Sequence, residues 1–239
     1  MKFIKVKTKI LLPPRDNIYR IFNEHLPQLQ EGDVVLITSK ALGIHQGRCV
    51  KIGSVNKQSL IKQEAEMWAK GNGKVLGDFI LTIKNHTIIP SSGIDESNGN
   101  GYYVLWPKKV NRLLQGIQEY LRKKYKIKKL GLIATDSHCV PLRRGTLGVA
   151  IGFYGFDPVT DYRGKPDLFG RKLKYTRSNL VDPLAAMAVL LMGEGNESVP
   201  IVIVRNAEFM KFTNKSTYRK FIFPPEKDIY EPMLSIFRK

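Results

Sequence analysis

Read for hydrophobic period, the chain interleaves strand-like and helix-like segments. Residues 6–12 (VKTKILL) alternate lysine with apolar positions and predict an opening strand. Residues 16–29 fit a short helix with Ile18, Ile21 and Phe22 inward, and Asp33–Thr38 (DVVLIT) is a compact apolar strand entered through Glu31-Gly32. Residues 59–70 predict a helix stopped by Gly71-Asn72-Gly73. Residues 76–89 read as two strands joined near Asn85, followed by a polar, glycine-rich loop over 90–102.

In 108–129 the apolar residues Val110, Leu113, Leu114, Ile117, Tyr120 and Leu121 recur at helical spacing. Residues 130–135 (LGLIAT) predict another buried strand, and 143–155 is punctuated by glycine. Asp182-Pro183 reads as a helix cap followed by proline at the first helical position, with the helix running to Gly193. Residues 200–204 (PIVIV) form a late strand. No repeat, low-complexity segment or linker interrupts this series. The cadence is too irregular for a doubly wound sheet, so the expected fold class is α+β: mixed β-sheets with packed helices. The chain reads as one unit over 1–239, with room for two subdomains.

Composition narrows the picture. At 239 residues with 43% hydrophobic positions, the chain can bury a sizeable core. The two cysteines, Cys49 and Cys139, read as reduced thiols. The longest apolar stretch, 183–193, is too short to span a bilayer, and no signal-peptide pattern opens the chain, so a cytoplasmic protein without a membrane partner is expected. Thirty-nine Lys and Arg against 21 Asp and Glu give a formal charge of +18, which favours anionic partners. The densest block is 108–129, where Glu119 is the only acid. It reads either as a solvated helix face or as a phosphate- or nucleic-acid-binding one.

Acidic and polar residues gather at three breaks: 93–98 (GIDESN), 135–138 (TDSH) and 192–197 (MGEGNE). Mg²⁺ and Mn²⁺ take oxygen ligands, which Asp95, Asp136 and Glu194 supply, with Asn98 and Ser137 as neutral partners. Asp136, Ser137 and His138 are triad residue types, but neighbours in sequence do not form triad geometry. His138 beside Cys139 is no zinc signature, and Gly145–Gly148 (GTLG) is no P-loop. Arg143, Arg144, Arg163, Lys165, Arg171 and Lys172 stand at glycine-rich turns, where guanidinium forks suit phosphate and carboxylate.

Five stretches in this order carry a family resemblance: EGDVVLITSKALGIHQGR (31–48), SSGIDESN (91–98), ATDSHCVPLRRGTLGVAIG (134–152), DYRGKPDLFGRKL (161–173) and DPLAAMAVLLMGEGNESVPIVIVR (182–205). Together they resemble the coenzyme F420-0:γ-glutamyl ligase family. The TDSH…PLRRG and GKPDLFGR forms are similar to a bacterial branch thought to glutamylate folates. Ile44 stands where the family commonly has a lysine.

The resemblance implies an intertwined homodimer and a reaction that joins L-glutamate to an F420-0-like or folate acceptor. It also implies GTP or ATP as co-substrate and two divalent cations, Mg²⁺ or Mn²⁺. Asp95 and Asp136 would hold one cation, with Ser137 and Glu194 helping to hold the second. Asp95, Asp136 and Arg143 are the catalytic residues so implied. Leu11, Leu12, Ser39, Lys40, Asn98, Gly193, Gly195 and Asn196 would contact the nucleotide. Two other readings stand beside this one: a basic nucleic-acid-binding protein, and a non-catalytic member of the same fold.

Overall fold

The structure is a computed structural model that describes residues 1–69 and 79–238. In chain order its elements are β1 (Lys2–Val6), α1 (Ile18–His25), β2 (Asp33–Thr38), α2 (Ser39–His45), β3 (Cys49–Lys51), α3 (Lys57–Glu64), β4 (Met67–Ala69), β5 (Leu81–Lys84), β6 (Thr87–Pro90), β7 (Tyr102–Val104), α4 (Val110–Tyr125), β8 (Leu130–Cys139), β9 (Thr146–Tyr154), β10 (Val159–Asp161), β11 (Arg177–Asn179), α5 (Val181–Met192), β12 (Ile201–Arg205), α6 (Glu231–Leu234) and β13 (Phe237–Arg238).

A five-stranded sheet in the order β1-β12-β2-β8-β9 is the frame. β2 and β8 run parallel, and the other neighbours are antiparallel. The unbroken apolar runs of β2 and β12 follow from burial on both faces. Val35, Ile37, Ile201 and Ile203 face α1 and α4, which contribute Ile21, Phe22, Leu114 and Ile117. Val34, Leu36, Val202 and Val204 face α5, with Leu184, Ala185 and Ala188. Smaller sheets flank this frame: β13-β4-β5-β6, β3-β7 and β10-β11. The architecture is the expected α+β class.

Several elements fall where the pattern placed them, and three do not. The opening strand is Lys2–Val6, not 6–12. Val6 pairs with Ile201, the first residue of β12, and Pro200 before it has no N–H to continue the ladder. Past that rung Ile10 and Leu12 turn out to solvent. The predicted helix over 59–70 ends at Glu64, because the Glu66 N–H donates to Ile83 O and Met67 and Trp68 join β5 as strand β4. Lys70, the Gly71-Asn72-Gly73 stop and positions 76–78 of the strand pair expected over 76–89 lie outside the described residues.

The third difference is at α5. Asn179, not Asp182, does the capping: its Oδ1 accepts from the N–H groups of Val181 (2.9 Å) and Asp182 (3.2 Å). Asp182 sits in the first turn, where its Oδ1 accepts from Ala150 N at 3.0 Å. That contact ties α5 to a bulge. Ala134 pairs with Gly152 but Thr135 with Ala150, leaving Ile151 unpaired on β9 directly before Asp136.

Candidate active site

Two carboxylates from distant segments converge beside the N-terminal end of α2. Asp136 belongs to β8, whose even-numbered residues point to the α4 face: Leu130, Leu132 and Ala134 are in that core layer. Its Oδ2 accepts from the buried Trp106 indole N–H, its Oδ1 accepts from Ser137 N at 2.9 Å, and the Ser39 hydroxyl also helps hold it. Burial, opposed by these hydrogen bonds and aided by the Asp95 charge, pushes the Asp136 carboxyl up to about 6.

Asp95 is set by an unusual stretch of backbone. Ser91, Ser92 and Gly93 all have positive φ, which for the two serines is strained. The strain is held by buried hydrogen bonds: Ser92 N donates to Thr82 Oγ1 (2.9 Å), and Ser92 Oγ donates to Ile61 O (2.8 Å). At Gly93 a Cβ would overlap the Trp106 indole nitrogen, so only glycine lets the ring reach Asp136. Asp95 then bridges to Val104 through both of its backbone groups.

Lys40 closes the pair from α2. Its Nζ lies 2.7 Å from Asp95 Oδ2 and donates to Ser97 O at 2.7 Å. Asp95 Oδ1 in turn accepts from Ser97 N (2.7 Å) and Ser97 Oγ (2.8 Å).

The other expected residues form a rim around these. Asn98 Nδ2 donates to Gly195 O at 2.9 Å, joining the 93–98 loop to the 193–197 loop. Thr8 N donates to Ser198 O and Thr38 N to Pro200 O, each at 3.0 Å, which brings the chain leading to Leu11 and Leu12 to the same end of the sheet. Leu11 is buried and Leu12 exposed. Gly193 caps α5, and Gly195 N donates to Glu197 Oε2 at 2.8 Å, which shapes the turn around Asn196.

Glu194 stands apart from the carboxylate pair. Its Oε1 accepts from Thr146 Oγ1 at 3.2 Å. Thr146 pairs with Cys139, two residues beyond Ser137, so alternation along β8 puts Ser137 on the Glu194 side and Asp136 on the Asp95 side of one strand. Among the described residues no three His, Cys, Asp or Glu side chains gather at metal-holding distance. Arg143 lies at the exposed tip between β8 and β9, and its guanidinium makes no hydrogen bond or ion pair among the described residues.

Sequence reasoning missed Trp106, the partner that orients Asp136. An isolated tryptophan before Pro107 carries no signal of that role; only the fold reveals it. It also missed the ion-pair group beneath the ring, where Glu64 Oε2 binds Arg48 (2.5 Å) and Lys84 (2.9 Å), and Lys84 lies over the Trp106 ring. The basic face of α4 is only in part a solvated one. Lys124 donates to Asn23 Oδ1 (2.7 Å) and Phe22 O (3.3 Å), and Arg122 to Asn214 Oδ1 (2.8 Å).

Fold and site together define a class: an α+β protein with facing carboxylates at one end of a mixed sheet, rimmed by a lysine and glycine-rich loops. The family model described as F420-0:Gamma-glutamyl ligase matches residues 5–206, and the chain belongs to that family of carbon–nitrogen-bond-forming ligases. Among relatives, the Coenzyme F420:L-glutamate ligase of Methanopyrus kandleri is 31% identical over 234 residues, covering 91% of this chain and 92% of its own. The protein of that name from Methanocaldococcus jannaschii is 32% identical over 221 residues, covering 84% and 86%. That from Methanosarcina barkeri is 28% identical, covering 100% and 99%. No helix among the described residues is long and apolar enough to cross a membrane.

Proposed function

We propose that this protein is a γ-glutamyl ligase that joins the amine of L-glutamate to a carboxyl group of a small coenzyme, F420-0-like or folate, at the expense of GTP or ATP. The observation that carries the reading is the meeting of Asp95 and Asp136, which lie 41 positions apart in sequence, in a chain of this family. Burial, with the Asp95 charge adding to it, raises the Asp136 carboxyl, and neighbouring carboxylates repel one another. They fit a divalent cation, which would offset that repulsion. Ser137 and Glu194, on the other face of β8, suit a second cation. Bound Mg²⁺ or Mn²⁺ would neutralise phosphate oxygens during transfer.

In this reading the acceptor carboxylate attacks the γ-phosphorus and the nucleoside diphosphate leaves, giving an acyl phosphate. The glutamate amine then attacks the acyl carbon, inorganic phosphate departs, and the nitrogen gives up a proton. Trp106, Ser39 and the Ser137 amide orient Asp136, and Lys40 orients Asp95. Lys40, Asn98 and the 193–197 loop form the nucleotide rim. No protein nucleophile is required. Arg143, at its exposed tip, acts on the phosphates only if that tip closes over the site or reaches the site of a partner subunit. Free Cys49 and Cys139 support a reducing, cytoplasmic setting.

The test is direct. Purified protein is incubated with glutamate, Mn²⁺ or Mg²⁺, either nucleotide, and a panel of deazaflavin and folate acceptors, and products are weighed by mass spectrometry. A glutamyl adduct that disappears in Asp136→Asn, with circular dichroism unchanged, is the expected result. An adduct formed equally well by Asp136→Asn rejects the assignment of Asp136, and no adduct with any acceptor rejects the ligase reading.

A further inference from the structure

Beyond the carboxylate site, the molecule holds an open cleft of about 570 Å³ where the C-terminal end of α2 meets the first turn of α4. Arg15, Arg48, Lys108, Lys109 and Arg112 line it, and no lining residue is acidic. The seven residues of α2 separate it from Ser39 and Lys40, roughly 10 Å at 1.5 Å per residue. Trp106 marks the same division: its indole N–H serves Asp136, while its carbonyl accepts from Arg48 Nε at 3.2 Å on the cleft side.

The cations are gathered by structure, not merely by composition. Gln46 grips the backbone of Lys108 in both directions, accepting from its N–H at 2.8 Å and donating to its carbonyl at 3.1 Å. Lys109 adopts a left-handed conformation, and its carbonyl accepts from Arg112 N and Leu113 N, which turns the chain into α4. The stem of Arg15 lies over Gly47, where a Cβ would sit 3.5 Å from Arg15 Cδ. Glu64 already satisfies Arg48, whereas Arg15, Lys108, Lys109 and Arg112 form no ion pair among the described residues. The cleft at the base of β10 and β11 contrasts with this, because there Asp161 binds Arg163 and Asp157 binds Lys220.

Several cations held together without a counter-charge repel one another, and an oxyanion removes that repulsion while filling guanidinium forks. We infer that this cleft is a binding site for a small polyanion, one whose charge is concentrated on linked phosphates or on adjacent carboxylates. The inference stands on the cleft alone and does not require the ligase reading.

Titration calorimetry on the full chain at about 0.1 M salt would use two probes, inorganic pyrophosphate and γ-linked triglutamate. One-to-one binding of at least one probe is expected, and the probe that binds identifies the source of charge. Lys109→Ala with Arg112→Ala should weaken it at least about tenfold, since two charge-assisted contacts are lost. Lys123→Ala with Lys128→Ala removes the same charge from the far end of the basic segment and should leave affinity within about twofold. Asp136→Asn should also leave it unchanged. The inference is overturned if neither probe binds, if the two double variants weaken binding equally, or if loss follows Asp136→Asn instead.

Discussion

At the scale of single residues, Asp136 sets the behaviour of the site with pH. Its carboxyl, raised to about 6 from an ordinary 3.8, holds a proton in the folded chain that the unfolded chain has lost. Between those values the native state binds more protons, so metal-free stability falls as pH rises through the window. A cation needs the ionised form, so Mn²⁺ affinity should move the opposite way and tighten as pH rises through 6. Isothermal titration at pH 5, 6 and 7 would show it, and an affinity that is flat over this range in wild type would contradict it. Gly93 gives a second residue-scale test. Gly93→Ala adds a methyl group where Trp106 sits and places alanine at φ +67. The expected cost is about 1–3 kcal/mol, with a shift in tryptophan emission. Denaturant unfolding followed by fluorescence measures both.

Elements were legible in the sequence wherever period alone decides them. Asp33–Thr38 matches β2 residue for residue because its interior, residues 34–37, is buried on both faces and unbroken in apolar side chains. The β5–β6 hairpin was legible from Asn85, which adopts positive φ together with His86. The end of β1 was not, because it depends on Pro200, nearly two hundred residues away. The cap of α5 was misassigned because Asp182-Pro183 has the right residue types, while Asn179 lies at the right distance from the first free N–H groups. Asn179→Ala should therefore destabilise the protein by about 1 kcal/mol, read as a lower denaturant midpoint at constant slope. Loss on Asp182→Ala would come instead through the freed Ala150 N–H at the bulge. The convergence of Asp95 with Asp136 was visible only through family resemblance. Nothing in their local sequence says that a strained Ser91-Ser92-Gly93 turn brings one to the other.

At the scale of the whole molecule, charge and shape point in one direction. With +18 spread over a single chain, self-association has to overcome repulsion, so an interface needs apolar surface. Such side chains are present on the segment between β10 and β11, where Leu168, Phe169 and Tyr175 are each nearly nine-tenths exposed or more, and at the β8–β9 tip, where Leu142 is fully exposed. Several large apolar side chains left this exposed on loops are poorly explained in a monomer. Exposed apolar loops also suit the intertwined homodimer expected from the family. Leu168→Asp with Phe169→Asp should convert a dimer to a monomer, measured by light scattering across a protein concentration series. Because both side chains are exposed, the thermal transition of the monomer itself should barely move. If the wild-type chain is already monomeric at tens of micromolar, these exposed apolar residues have another role and each site must be complete within one chain. If the variant is monomeric and also loses glutamyl transfer while keeping its fold, an element of the partner completes the site.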